Sequence, residues 1–276
     1  MLRNLSLATF LIACPACTCG GTHPAEAEVP RASEPPVEAA HDAASHPAQN
    51  VVRAGVEAYP VRHFSYALAD VNVSIEDAGM RPSLAPMLER PDALLAVNGG
   101  FFDSNGKALG LAISQGHSLA PFAPRLSGGV FGIEGERGWL SETESFVAPS
   151  KVDFAVQCRP RLVVDGKVNI RSDDGKRAER TAICLREHGT VLDFFIVRSD
   201  QTDHMLGPSL FALAQHLAEF GCEEALNLDG GPSTGAAFWQ DGKVQHLPPR
   251  GPIRHAIVVR ARQGRMNDAS TLGVEN

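Results

Sequence analysis

The sequence predicts an α+β domain, a strand-rich mixed sheet with one or two major helices. Three observations carry this. The apolar runs are short, and turn-forming pairs separate them. The 276 residues include 26 Gly and 19 Pro, a usage that fits a turn-rich fold better than a helical bundle. The helical apolar period is strongest at 209–220.

Residues 1–19 read as a lipoprotein-type signal segment. Arg3 precedes an almost wholly apolar stretch at 5–13, too short to span a bilayer and of the size of a secretory h-region. Leu11-Ile12-Ala13-Cys14 resembles a lipobox, in which Cys14 becomes the lipidated N-terminus after cleavage. Ordinary signal-peptidase cleavage near Ala16 or Gly20 is the alternative. Cys17 and Cys19 could join Cys14 in a metal-binding run, but no His or Cys cluster follows them. Residues 20–50 hold no aromatic side chain and are rich in Ala, Pro, Glu, His and Ser. That composition predicts a disordered tether with His23, His41 and His46 in solvent. The folded domain is expected at 51–262 and a flexible tail at 263–276. Together these readings expect export to a bacterial cell envelope, with the membrane touched only through the lipid.

Within the domain, alternation of apolar and polar residues predicts strands at 61–67 and 71–75. A short helix is expected at 80–90, closed by Pro91. The continuous apolar run 94–97 reads as a buried strand that enters a tight turn at Asn98-Gly99-Gly100. Further short strands are expected at 111–114, 130–133, 154–156, 162–164 and 182–185. Asp165-Gly166 and His188-Gly189 read as hairpin turns. The strongest strand is 191–197. In the helix at 209–220, Leu210, Leu213, Ala214 and Leu217 share one face, Ser209 is placed to cap the N-terminus and Gly221 the C-terminus. A buried strand at 225–228 ends in Asp229-Gly230-Gly231, and a last strand lies at 257–260.

Charge excludes one class of function. Lys and Arg number 25 against 32 Asp and Glu, a net charge of −7, so no nucleic-acid partner is expected. Thirteen Phe beside two Trp and two Tyr also weigh against a polysaccharide platform of exposed Trp and Tyr.

Two places share one construction. An apolar strand, a polar residue and a glycine pair recur at Asn98-Gly99-Gly100 and Asp229-Gly230-Gly231. Glycine pairs permit positive φ, which could turn backbone N–H groups into a cleft and toward an anion, beside the hydroxyls of Ser233 and Thr234. Asp-Gly-Gly is also a common turn, and the structural reading stands beside the functional one. Arg180 sits where an apolar strand begins and could aim its planar fork at a phosphate or carboxylate. It could equally be a surface residue or pair with Glu179.

These segments, in this order, resemble the phosphodiester glycosidase family. The resemblance rests on Asn98-Gly99-Gly100-Phe101-Phe102, on 160–167, on Arg180-Thr181-Ala182-Ile183, on the helix and on 225–234. It covers most of the chain from about 51 to 260, and the Asn227-Leu228-Asp229-Gly230-Gly231 stretch is its most specific part. There are departures. Pro232, Ser233 and Thr234 stand where the family often has a third Gly and Ser-Ser, and Cys184 stands where it often has Gly. Arg198-Ser199-Asp200-Gln201 replaces the frequent Asp-Gly-Arg.

The resemblance implies hydrolysis of a sugar 1-phosphodiester at its glycosidic side, with a glycan or sugar phosphate as partner and no cofactor or metal. Asp229, Arg180 and Asn98 are the catalytic candidates. Asp229 would activate water or face an oxocarbenium-like centre, and Arg180 with the glycine N–H groups would hold the departing phosphate. Asn98 would orient a sugar hydroxyl or phosphate oxygen. Gly99, Gly100, Asp103, Gly230, Gly231, Ser233, Thr234 and Arg254 are the substrate-binding candidates. A second carboxylate could be Asp103 or Asp200. His204 and His246 lie in expected loops, and His216 is read as structural. Cys158, Cys184 and Cys222 allow one disulfide and leave at least one thiol free. Two other readings stay open: a non-catalytic envelope lipoprotein that binds an anionic glycan, and a glycosidase acting without phosphate.

Overall fold

A computed structural model describes residues 51–54, 57–199 and 207–262. Among them seventeen strands and one α-helix follow in order. The first strands are β1 (Val51–Ala54), β2 (Glu57–Ala67), β3 (Val71–Arg81), β4 (Ala93–Asn98), β5 (Ala112–Ser114) and β6 (His117–Ala120). Next come β7 (Gly129–Glu134), β8 (Arg137–Glu142), β9 (Phe154–Cys158), β10 (Arg161–Val164), β11 (Lys167–Val168), β12 (Arg180–Arg186) and β13 (Val191–Val197). Helix α1 (Leu210–Phe220) is followed by β14 (Glu224–Asn227), β15 (Ala236–Gln240), β16 (Lys243–Leu247) and β17 (Ile253–Ala261).

The strands form three sheets, ordered β1-β2-β13-β12-β14-β10-β11, β16-β15-β4-β17-β3 and β6-β5-β9-β7-β8. Every strand pair among the described residues is antiparallel, which corrects the expected mixed sheet. Only one major helix is present among them, so the domain is mostly β.

One large apolar cluster joins the three sheets, with Phe194, Ile183 and Leu226 meeting Leu95, Val97 and Ile257 and then Phe131 and Phe154. A second cluster fills the other face of the seven-stranded sheet, where Ala182, Cys184, Phe195 and Ala225 pack on Leu213, Ala214 and Leu217 of α1. Burial on both faces explains why 191–197 is apolar at every position but Asp193 rather than alternating. The Ser209 hydroxyl accepts from Ala212 N at 3.2 Å, and Gly221 ends the helix at φ 101°. A Cys184–Cys222 disulfide ties β12 to the turn after α1, leaving Cys158 free and buried.

The helix expected at 80–90 is absent. Met80 and Arg81 close β3, and only Ala85–Leu88 takes a 3₁₀ turn. Pro82 keeps Arg81 before it extended, and Pro86, which lacks a backbone N–H, fits only the first turn of a helix and so cannot lie inside one that starts at 80. Asp165-Gly166 forms the expected two-residue hairpin turn, both residues at positive φ. At His188-Gly189 the hairpin instead has a four-residue loop, because Arg186 pairs with Val191.

Candidate active site

The two glycine turns meet. β4 and β14 lie in different sheets, yet Asp229 N donates to Gly99 O at 3.2 Å and Asn98 Nδ2 donates to Asp229 O at 2.7 Å. Asn98 Oδ1 accepts from Thr181 Oγ1 at 2.6 Å and from Gly235 N at 3.2 Å. Asn98 is therefore fully buried behind the turn, holding Asp229 in place rather than lining a cleft.

On the far side of that turn opens a cleft of about 740 Å³. Arg180, Asp229, Gly230 and Gly231 line it, with Leu210 of α1 and with residues of the third sheet that include Glu142. The sheet register delivers the first pair. Ala182 faces Asn227, and Leu228 N donates to Thr181 O, so two residues further on Arg180 stands opposite Asp229. A Cβ built on Gly230 would lie 3.8 Å from Arg180 Cα and 2.9 Å from Glu179 O, a close approach that requires glycine.

Glu179 directly precedes Arg180, the first residue of β12. Glu179 is buried and pairs with Arg250 at 3.0 Å and Arg198 at 3.5 Å, so it does not neutralise Arg180. The Arg180 guanidinium donates to Pro208 O at 3.3 Å and has no ion pair among the described residues. Burial draws its pKa down, weakly opposed by Asp174. Burial pushes the Asp229 carboxyl up, opposed by hydrogen bonds from Ser233 and from Gly230 N, the latter 2.9 Å from Oδ1. The Cys158 thiol, packed against Gly100, is raised by burial and by the nearby Asp229 charge, so it stays neutral.

Three of the four glycine N–H groups are taken up within the protein rather than offered to an anion. Gly99 N donates to His255 O, Gly231 N to Glu179 O, and Gly230 N to the Asp229 carboxylate. The glycines serve close backbone packing: a Cβ on Gly99 would stand 2.9 Å from His255 O, and one on Gly100 3.3 Å from a Val156 methyl carbon. Thr234 is buried, and the Ser233 hydroxyl lies against Asp229 and 3.4 Å from Pro252 O. Asp103 caps its own turn by accepting from Asn105 N and Lys107 N, and Arg254 pairs with Asp77 at 2.8 Å; neither lines the cleft. His246 accepts from Leu84 N, also away from it. Cys14, Asp200 and His204 lie outside the described residues.

Sequence reasoning missed Arg159, Arg161, Glu142, Glu144 and Asn169, all of which line the cleft. Arg161 pairs with Glu142 at 2.7 Å, and Asn169 Nδ2 donates to Arg161 O at 3.0 Å. The one available signal was the pair of arginines around Pro160, adjoining a segment already singled out.

Residues 91–260, more than half of the chain and spanning every element that builds this cleft, match the family model described as phosphodiester glycosidase. The chain belongs to the phosphodiester glycosidase family. Its curated relatives include an uncharacterized Escherichia coli protein, YigE, 27% identical over 172 residues; the match covers 57% of this chain and 65% of the relative. Two solved structures share the fold. The zebrafish N-acetylglucosamine-1-phosphodiester alpha-N-acetylglucosaminidase catalytic domain, auto-inhibited by its pro-peptide, has a TM-score of 0.56 and 19% identity, covering 76% of this chain and 86% of that one. A hypothetical protein from Synechocystis has a TM-score of 0.55 and 15% identity, covering 77% of this chain and 61% of that one.

Proposed function

We propose that this protein hydrolyses a sugar 1-phosphodiester at the glycosyl–phosphate bond, acting on an envelope or extracellular glycan. The observation that carries the reading is the contrast inside the cleft: a guanidinium with no carboxylate partner among the described residues, beside a carboxylate held by burial above its ordinary pKa. Arg180 is suited to the non-bridging oxygens of the phosphodiester, where its fork stabilises charge as the bond to the sugar stretches. The departing phosphate monoester is stable as an anion and needs little protonation. Asp229 then takes the proton of an attacking water or faces the developing cation at the sugar. Asn98 acts as a positioning residue through its bond to Asp229 O. Because the N–H groups of Gly99, Gly230 and Gly231 are committed elsewhere, Arg180 is the main group left to hold the anion beside Asp229.

Assay of phosphate monoester release from a panel of sugar 1-phosphodiesters tests this. Asp229→Asn is expected to lower kcat by about 10²–10⁴-fold, the range of a general acid–base group. Arg180→Ala is expected to lower kcat/KM by about tenfold or more. Unchanged turnover in both variants overturns the proposal, and tight binding without turnover by the wild type favours the glycan-binding alternative.

Export as a lipoprotein belongs to the same proposal. In a bacterial host, labelling with radioactive palmitate should mark the full chain and be lost in Cys14→Ser; equal labelling of both would sink the anchor.

A further inference from the structure

Arg159 has no part in the reaction just proposed, although it lines the same cleft. It directly follows β9 and is joined through Pro160 to β10, which flanks β14 on the side away from β12. Arg180, at the start of β12, and Arg159, next to the start of β10, thus approach from the two sides of the segment that runs from β14 to Asp229. Neighbouring strands stand about 4.8 Å apart, so the two arginine backbones are roughly 10 Å apart across the sheet. The Arg159 backbone is fixed: Asn227 Nδ2 donates to Arg159 O at 2.9 Å, and Asn227 N donates to Pro160 O at 3.0 Å.

Its side chain is exposed and forms no ion pair among the described residues, whereas Arg161 two positions on is neutralised by Glu142. In a chain of net charge −7, one cleft presents a carboxylate-free fork from each flank. Asp229, Glu142 and Glu144 share the cleft, but neither Arg159 nor Arg180 forms an ion pair with them, so each fork is left to meet an anionic group of a ligand.

We infer that the substrate is at least dianionic: Arg180 takes the scissile phosphodiester, and Arg159 takes a second anionic group on the aglycone, a phosphate or a carboxylate. This rests on the assignment of Arg180 above. Arg159 acts as a specificity-determining residue. A repeating phosphodiester chain and an acidic sugar share this chemistry.

Three probes with one sugar separate the possibilities: the methyl, 2-phosphoethyl and 3-carboxypropyl phosphodiesters of glucose 1-phosphate, offered to the full chain. The wild type is expected to favour at least one of the doubly charged probes over the methyl probe by about tenfold in kcat/KM. A preference for the phosphate arm identifies a second phosphate, and one for the carboxylate arm an acidic sugar. In Arg159→Gln that ratio should fall to about one, while Arg159→Lys keeps part of it, a point charge replacing the fork. Raising the salt from about 0.05 to about 0.5 M should shrink the wild-type ratio, a readout that needs no variant. A wild-type ratio within twofold of one, or a ratio that Arg159→Gln leaves intact, overturns the inference. If no probe is cleaved, the proposed reaction fails instead, and the same ratios are read from calorimetric affinities. Equal affinities, or no binding of any probe, then end this inference too.

Discussion

Strand β12 begins and ends with an arginine, and the two ends teach opposite lessons. At its C-terminal end Arg186 donates to Asp193 through Nε at 2.8 Å, and His63 Nε2 lies 2.7 Å from the same carboxylate. His63 stacks on Phe195 and meets Phe220 edge-on, and the Arg186 guanidinium lies over the Phe220 ring. Burial alone would raise Asp193, but hydrogen bonds from His63 and Arg186 outweigh it and hold the carboxyl below its usual range. At the N-terminal end Arg180 and Asp229 share a cleft but form no ion pair, and burial raises the Asp229 carboxyl there. Both aspartates belong to the helix side of one sheet, one near each end of α1. One is a finished ion pair that holds structure together. The other is an acid and a cation kept apart, which leaves both available to a third party.

The comparison breaks most sharply on stability. Asp193→Ala should destabilise by about 3 kcal/mol, the lower end for breaking a buried pair, because Arg186 remains a quarter exposed. Asp229→Asn should melt at or above the wild type at pH 7. The signs follow from linkage. The folded pKa of Asp229 is raised, so its contribution to stability is full below the ordinary carboxylate value and is lost as pH rises through the raised value. The folded pKa of Asp193 is lowered, so its contribution is present above the unfolded value and is lost as pH falls through the lowered one. Thermal melts of both variants against wild type, at pH 7 and then at about pH 3, check this: the two differences should have opposite signs at neutral pH and both shrink in acid. Differences of the same sign at neutral pH would show that the two carboxylates are held alike.

How much of this was legible in the sequence depends on what each residue faces. The strand at 191–197 and the helix at 209–220 were readable because one two-sided sheet buries them, so local apolar pattern and position agree. Strands β6 and β16 were not, because they lie at sheet edges with mostly exposed residues and little periodic signal. Asp229 stood out because the construction of apolar strand, polar residue and glycine pair recurs in the chain, and Arg180 because its planar fork sits where an apolar strand begins. Asn98 was visible as a polar residue at a strand end, but its commitment to Thr181, Gly235 and Asp229 depends on three segments more than 80 positions away in sequence. The wall that contributes Glu142 and Glu144 was invisible for the same reason: it comes from the packing of one sheet against another.

The smallest effect sharpens the comparison most. Asp193 is held down by two side chains that carry or share a proton, whereas among side chains only the Ser233 hydroxyl restrains the Asp229 carboxyl, beside the Gly230 N–H. Ser233→Ala removes that hydrogen bond, worth about 0.5–1.5 kcal/mol. The carboxyl should then rise further, and the acidic limb of the kcat/KM profile should move to higher pH while the neutral plateau changes little. The shift is measured from the pH–rate profile of wild type and variant on one sugar 1-phosphodiester. An unmoved limb would mean that the titrating group is not Asp229, and the acid at the helix N-terminal side would lose its distinction from the buried pair at the other end.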